Sequence, residues 1–261
     1  MKQYDTYIFD LDGTLLNTLD DLVASTNYAL RTHGLPEHTI DDVRRFVGNG
    51  VRVLMKRAIP NGEQNSQFKT IYSTFRQHYM EHSLDTTQPY PGIMEMLREL
   101  KARGKNLAVV SNKFYAATQG LVEHFFGNLI PVAIGEHETE GIRKKPAPDT
   151  VEEALRQLGV GKDGSVYVGD SDVDVMTAHN SGIPCISVLW GFRDKDFLIK
   201  MGPLSLSVAP KTFCRNEIAD VKSTSTNHSW RMASMGSMLA AFWAGIYPKS
   251  TPMQTQTMND T

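Results

Sequence analysis

The sequence predicts an α/β fold: a Rossmann-like parallel sheet core interrupted by an inserted α-helical domain. Two observations carry that reading. Short apolar runs alternate with amphipathic helical patterns along much of the chain, and one stretch, about 17 to 88, breaks the alternation by being helical throughout. Strands that alternate with helices form βαβ units, and so a parallel sheet.

The first run, Tyr4 to Phe9, is rich in β-formers and carries little charge apart from Asp5, as a buried parallel strand does. It ends in Asp10-Leu11-Asp12-Gly13-Thr14, two carboxylates two positions apart before a glycine turn. Open α/β sheets bind ligands at the carboxyl ends of their strands. Side chains two apart on a strand face the same way, so Asp10 and Asp12 can converge on one metal or reacting atom. Thr14 offers a hydroxyl and an N–H to an anion.

The helical stretch shows one apolar stripe in Leu19, Leu22, Val23, Thr26, Ala29 and Leu30, and another in Phe68, Ile71, Tyr72, Phe75 and Tyr79. A four-helix insertion over 17–88 is expected, closed by the hinge Gln88-Pro89-Tyr90-Pro91-Gly92. Within it, Val47-Gly48-Asn49-Gly50-Val51-Arg52 reads either as a plain helix–helix turn or as a loop dipping toward the site to meet substrate through Gly48, Asn49, Gly50 and Arg52.

Strands follow near 106–111, 130–134, 165–169 and 184–189, with helices near 92–103, 114–124, 148–158 and 173–181. The 106 strand runs into Ser111-Asn112-Lys113, which suits a helix N-cap by Ser111 or an anion held at a helix N-terminus. Arg143-Lys144-Lys145-Pro146-Ala147-Pro148 is a stiff segment that holds a lysine in a fixed direction. Val168-Gly169-Asp170-Ser171-Asp172-Val173-Asp174 repeats the opening logic, and its three acids repel one another unless a metal cation or a lysine stands among them. Mg²⁺ is the hard ion that suits carboxylates plus phosphate.

These four strings, in this order at predicted strand ends, resemble the four motifs of the haloacid dehalogenase superfamily. The likeness runs from residue 1 to about 201 and sets core limits of 1–16 and 89–221 around a cap at 17–88. It implies a phosphohydrolase with Asp10 as nucleophile, Asp12 as general acid and base, and Lys145, not Lys144, as the ammonium facing the phosphoryl group. Thr14, Ser111, Asn112 and Lys145 would bind phosphate, while Asp10, the Asp12 backbone carbonyl and Asp170 would hold Mg²⁺. Asp174 would support them from behind, and Asp172 would cap the following helix. An acid at position 12 separates the chain from the dehalogenases and phosphonate-cleaving members. Gly169-Asp170 differs from the acidic pair of the β-phosphoglucomutase-like branch. Within the superfamily the motifs are most similar to the phosphoglycolate phosphatases, which implies a small phosphomonoester, 2-phosphoglycolate first. A phosphomutase, a pyrophosphatase and a non-catalytic binding protein on the same fold are the alternatives.

Composition agrees with an ordinary globular protein: 261 residues, 41% hydrophobic and 21% charged. A net charge of −2 with a pI near 6.4 offers no basic footprint for nucleic acid. The partner expected is a small phosphorylated metabolite, and the chain is compatible with a monomer or a homodimer. Cys185 and Cys214 form no metal-ligand spacing, and the N-terminus carries no secretory pattern, so a cytoplasmic location is the default. Residues 222–261 are rich in Ser, Thr and Met, with Asp260 as their one acid. Their apolar stretch Met232 to Tyr247 falls short of a membrane span, and a disordered tail is expected.

Overall fold

The computed structural model describes residues 4–136, 141–203, 205–215 and 219–220. The atypical tail from 222 and its apolar stretch lie outside them, as does the side chain of Cys214.

The centre of the sheet is β1 (Thr6–Phe9), flanked on both sides by parallel partners, β4 (Asn106–Phe114) and β6 (Ser165–Gly169). Beyond β4 lies β5 (Val132–Glu136), and beyond β6 lie β7 (Cys185–Val188) and β8 (Ser205–Ser207). These six strands are parallel, and an antiparallel β9 (Ala219–Asp220) closes the edge. Phe9 pairs with Val109 on one side and Val168 on the other, so β1 and β6 end at one level while β4 runs on to Phe114 beside them. That register brings the predicted motifs of distant sequence together.

The period of two along each strand distributes its side chains between two cores. Tyr7, Phe9, Leu107, Val109, Val166 and Val168 pack against α5 (Ile93–Ala102), α6 (Tyr115–Phe126) and Phe213 of α10 (Lys211–Arg215). Ile8, Ala108, Val110 and Tyr167 face the opposite layer, with α7 (Asp149–Leu158) and α8 (Asp172–Ser181). Burial on both faces is why these strands read as unbroken apolar runs. Past Gly202, where the motif likeness ends, the sheet continues through β8 and β9, and α9 (Lys195–Met201) precedes them.

Four helices make the insertion: α1 (Leu19–Thr32), α2 (Ile40–Phe46), α3 (Val51–Ala58) and α4 (Phe68–His82). Their apolar stripes meet in a core of their own, centred on Leu22, Leu30, Leu54, Met55, Ile71 and Phe75. Thr39 and Asp42 form a capping box that starts α2. The two crossings between insertion and sheet are paired to each other as a two-stranded ribbon, β2 (Leu16–Asn17) with β3 (Gln88–Pro89). Beside the ribbon, the buried Asp21 carboxylate accepts hydrogen bonds from the backbone N–H and hydroxyl of both Thr86 and Thr87, at 2.5–3.2 Å. One acid on α1 therefore fixes the return strand.

Candidate active site

Asp10 follows the last residue of β1, and its N–H donates to the Val168 carbonyl at 2.8 Å. That bond places its carboxylate beside the turn after β6. Carboxylate oxygens of Asp10, Asp170 and Asp174 all lie within 4.8 Å of one another, and all three side chains are buried. Lys145 reaches into this group. Its Nζ donates to Asp10 Oδ1 and Asp174 Oδ1, both at 2.8 Å, and to the Tyr167 hydroxyl at 3.0 Å. The Lys145–Pro146 bond is cis, and the Asn112 amide holds the Lys145 carbonyl at 3.0 Å. Lys144 lies elsewhere, 3.8 Å from Glu136.

The charges do not balance: three buried carboxylates face one ammonium. Burial, and next the Asp174 charge, push the Asp10 carboxyl well above its ordinary range despite Lys145. The same two causes carry Asp170 up to about 7. Burial alone draws the Lys145 ammonium down, but Asp10 and Asp174 together outweigh it and the net shift is upward. A cluster of buried oxygens with surplus negative charge fits a hard divalent cation.

Asp12 stands apart from this trio. Its Oδ1 lies 3.0 Å from the Nζ of Lys113, which also donates to the Tyr79 hydroxyl at 2.7 Å. Lys113 and Tyr79 are buried, and Tyr79 belongs to α4 of the insertion. Burial lowers the Lys113 ammonium, yet Asp12 and Tyr79 reverse the sign and hold it above its ordinary value. Burial also lifts the Tyr79 phenol to about 12. Lys113 is a site residue that sequence reasoning missed as such, because a lysine after a strand reads as exposed.

Asp10, Asp12, Ser111, Asn112, Lys113, Lys145 and Asp170 share one cavity with Gly48 and Gly50 of the insertion. Its volume is about 520 Å³ including the open mouth. The glycine loop contributes Gly48 and Gly50 to the lining of this cavity. At Gly50, φ is 85° and an added Cβ would stand 3.0 Å from the Asn112 carbonyl. The positive φ favours glycine there, and a side chain would press on that carbonyl.

Several predicted site residues sit differently. Arg52 points away from the cavity, half exposed, paired with Glu63 at 2.9 Å and lying over the Phe68 ring. The reason is the helical period: Val51, Leu54, Met55 and Ala58 turn inward on α3, which turns Arg52 outward. Asn49 does not line the cavity either. Thr14 is buried outside the lining, with its hydroxyl 3.5 Å from Asp170 Oδ1 and its N–H taken by the Leu11 carbonyl at 3.3 Å. Ser111 caps no helix. It lies within β4, where the pairing with β5 shifts register between Val110 and Phe114, and its Oγ accepts from the Lys113 N–H at 3.2 Å.

Asp172 is not the cap of α8. Ser171 is, in a capping box whose other half is Asp174 Oδ2, accepting the Ser171 N–H and hydroxyl at 3.0 and 2.6 Å. The Ser-x-x-Asp spacing was a readable signal for this. Asp174 thus holds the helix start with one oxygen and Lys145 with the other.

The segment after β7 carried no motif, yet it ties the site together. The Trp190 indole donates to the Thr14 carbonyl at 2.9 Å, and the Phe192 N–H donates to Asp170 Oδ2 at 2.6 Å. A Cβ at Gly191 would fall 2.3 Å from Asp170 Cβ. The Phe192 ring packs on the insertion's core, and Arg193 bonds to carbonyls of the insertion and lines the cavity.

The profile of the haloacid dehalogenase-like hydrolases matches residues 7–188. The phosphoglycolate phosphatase of Agrobacterium fabrum is 37% identical over 190 residues, 72% of this chain and 81% of that one. That of Aquifex aeolicus is 33% identical over 187 residues, 71% of this chain and 84% of that one. A solved structure of a candidate phosphoglycolate phosphatase from Lactobacillus delbrueckii subsp. bulgaricus superposes with a TM-score of 0.78 at 36% identity, covering 83% of this chain and 99% of that one.

Proposed function

The chain belongs to the haloacid dehalogenase-like hydrolases and is a phosphatase, and from that premise we propose that it hydrolyses a small phosphomonoester, 2-phosphoglycolate first, through an aspartyl-phosphate on Asp10. The observation that carries the proposal is the buried Asp10 carboxylate, held by Lys145 at 2.8 Å on the floor of a cavity that Asp12 also lines. The substrate is suggested by the phosphoglycolate phosphatases that the chain resembles.

In the first step an Asp10 oxygen attacks phosphorus, the bond to the leaving oxygen breaks, and Asp12 gives that oxygen its proton. Water then attacks the aspartyl-phosphate, Asp12 takes the water's proton, and phosphate leaves with Asp10 regenerated. Lys145 orients the nucleophile and offsets charge as two anions meet, and Ser111 faces the phosphoryl group. Lys113 keeps Asp12 aimed from its outer side. Asp10, Asp170 and the Asp12 carbonyl, with Asp174 in support, would hold Mg²⁺, which would supply charge neutralisation and Lewis-acid polarisation of the phosphoryl group. The helical insertion over 17–88 serves as a cap whose glycine loop excludes water from the reacting centre.

The test is phosphate release from a panel of phosphoesters that includes 2-phosphoglycolate, with Mg²⁺ or EDTA, in wild type and Asp10→Asn. Metal-dependent release that vanishes in Asp10→Asn, with 2-phosphoglycolate leading the panel, is the expected result. A panel led by another ester would overturn the substrate. Turnover surviving in Asp10→Asn would overturn the mechanism.

A further inference from the structure

The wall of the cavity contains three cations, and two are committed to acids of the site: Lys145 to Asp10 and Asp174, Lys113 to Asp12. The third, Arg193, is different. Its Nη1 donates to the Arg44 carbonyl at 3.0 Å and its Nη2 to the Val47 carbonyl at 2.7 Å. Both acceptors are neutral carbonyls at the end of α2, where a helix leaves carbonyls without internal partners and presents the negative end of its dipole. Its Nε also forms a looser ion pair with Asp172 at 3.7 Å, a carboxylate that does not line the cavity.

Val47 is also the residue from which the glycine loop departs. A Cβ built on Gly48 would stand 3.3 Å from Arg193 Nη2, so the guanidinium lies directly against that loop. The insertion's own contribution to the wall is apolar or glycine: Leu22, Val47, Gly48, Gly50, Val51 and Leu54. Among the described residues, Arg193 is therefore the cation of the cavity wall that is paired with none of Asp10, Asp12 and Asp174. A guanidinium clamped through two of its five N–H groups retains others for a ligand, in the fork geometry that suits carboxylates.

We propose that Arg193 is a specificity-determining residue that selects phosphomonoesters whose leaving group carries a second anion, a carboxylate a short distance from the ester oxygen. This rests on the phosphatase reading above and gives it a physical basis for substrate choice. Two functions meet in one side chain: the guanidinium fixes the glycine loop and supplies the charge that the leaving group meets.

The experiment compares kcat/KM for 2-phosphoglycolate with that for 2-hydroxyethyl phosphate, which replaces the carboxylate by an alcohol, in wild type, Arg193→Gln and Arg193→Lys. Loosening of the loop lowers both rates together and cancels in their ratio, so the change of ratio between proteins reads the charge alone. The wild type is expected to favour the carboxylate roughly 10- to 100-fold, the worth of one charge-assisted hydrogen bond, and Arg193→Gln to lose most of that ratio. Arg193→Lys should keep part of it, because an ammonium retains charge without the fork. A wild-type preference that survives intact in Arg193→Gln overturns this inference and leaves the substrate reading standing. No wild-type preference for the carboxylate overturns both.

Discussion

Replacing Lys113 by Met removes the ammonium that joins Asp12 to Tyr79 and retains most of the side chain's volume. Two groups lose a partner, and they lose it unequally. The Tyr79 hydroxyl is buried with no other hydrogen bond among the described residues, whereas the Asp12 side chain is 15% exposed at the cavity, although its Oδ1 facing Lys113 is itself buried. Breaking a buried ion pair from one side costs about 3–5 kcal/mol, and the access of Asp12 to water places this site near the lower end, about 3 kcal/mol. For a chain of this size that is a fall in Tm of roughly 6–12 °C. Tyr79→Phe in the wild-type background removes one hydrogen bond to a charged donor and should cost about 1.5 kcal/mol. In the Lys113→Met background the same change deletes a stranded hydroxyl, so it should cost nothing or stabilise. Urea unfolding of the four proteins measures the cycle. If Tyr79→Phe cost the same in both backgrounds, the bridge through Lys113 would not exist in solution.

Three further outcomes follow from the same geometry. Asp21→Ala strands the N–H and hydroxyl of the fully buried Thr87, while those of the exposed Thr86 turn to water, and should cost about 3 kcal/mol by urea unfolding, against near neutrality for a surface acid such as Asp20. Gly50→Ala forces a side chain onto φ 85° and ψ 162° and toward the Asn112 carbonyl; a cost of about 1–3 kcal/mol and a raised KM are expected, and an unchanged KM would show that the loop does not meet substrate. The hydrogen bonds from Arg143 hold the Asp149 carboxyl below its ordinary range, so its contribution to stability is present above the unfolded value near pH 4 and is lost as pH falls through the folded one. Arg143→Ala should flatten that acid limb in thermal melts, by less than about 1 kcal/mol because the guanidinium is largely exposed.

The order of strands and helices, and the four clusters of polar residues at strand ends, could be read from the chain because they depend on local regularities. Apolar runs buried on both faces announce parallel strands, and charge at their ends is conspicuous against that background. The stripes of α1 and α4 announced the insertion in the same way, since a period near 3.6 is a property of neighbours in sequence. Some signals were present and read past. Ser171 stands three residues before Asp174, and Val51, Leu54, Met55 and Ala58 define the inner face of α3 that excludes Arg52. The register shift in β4, which keeps Ser111 in a strand, left no such trace.

Sequence by itself therefore determined the fold class and the family, and through the family's motifs it pointed to Asp10, Asp12, Lys145 and Asp170 as the acids and ammonium to watch, because each motif spans only a few neighbouring positions. Tertiary structure alone decided which charge answers which. Lys145 chooses Asp10 and Asp174 across 135 and 29 residues, Lys113 joins Asp12 to a tyrosine of the insertion, and Arg193 grips the end of α2. Such pairings arise from packing two cores against one another. No spacing along the chain encodes a distance between side chains that meet only when both cores have formed.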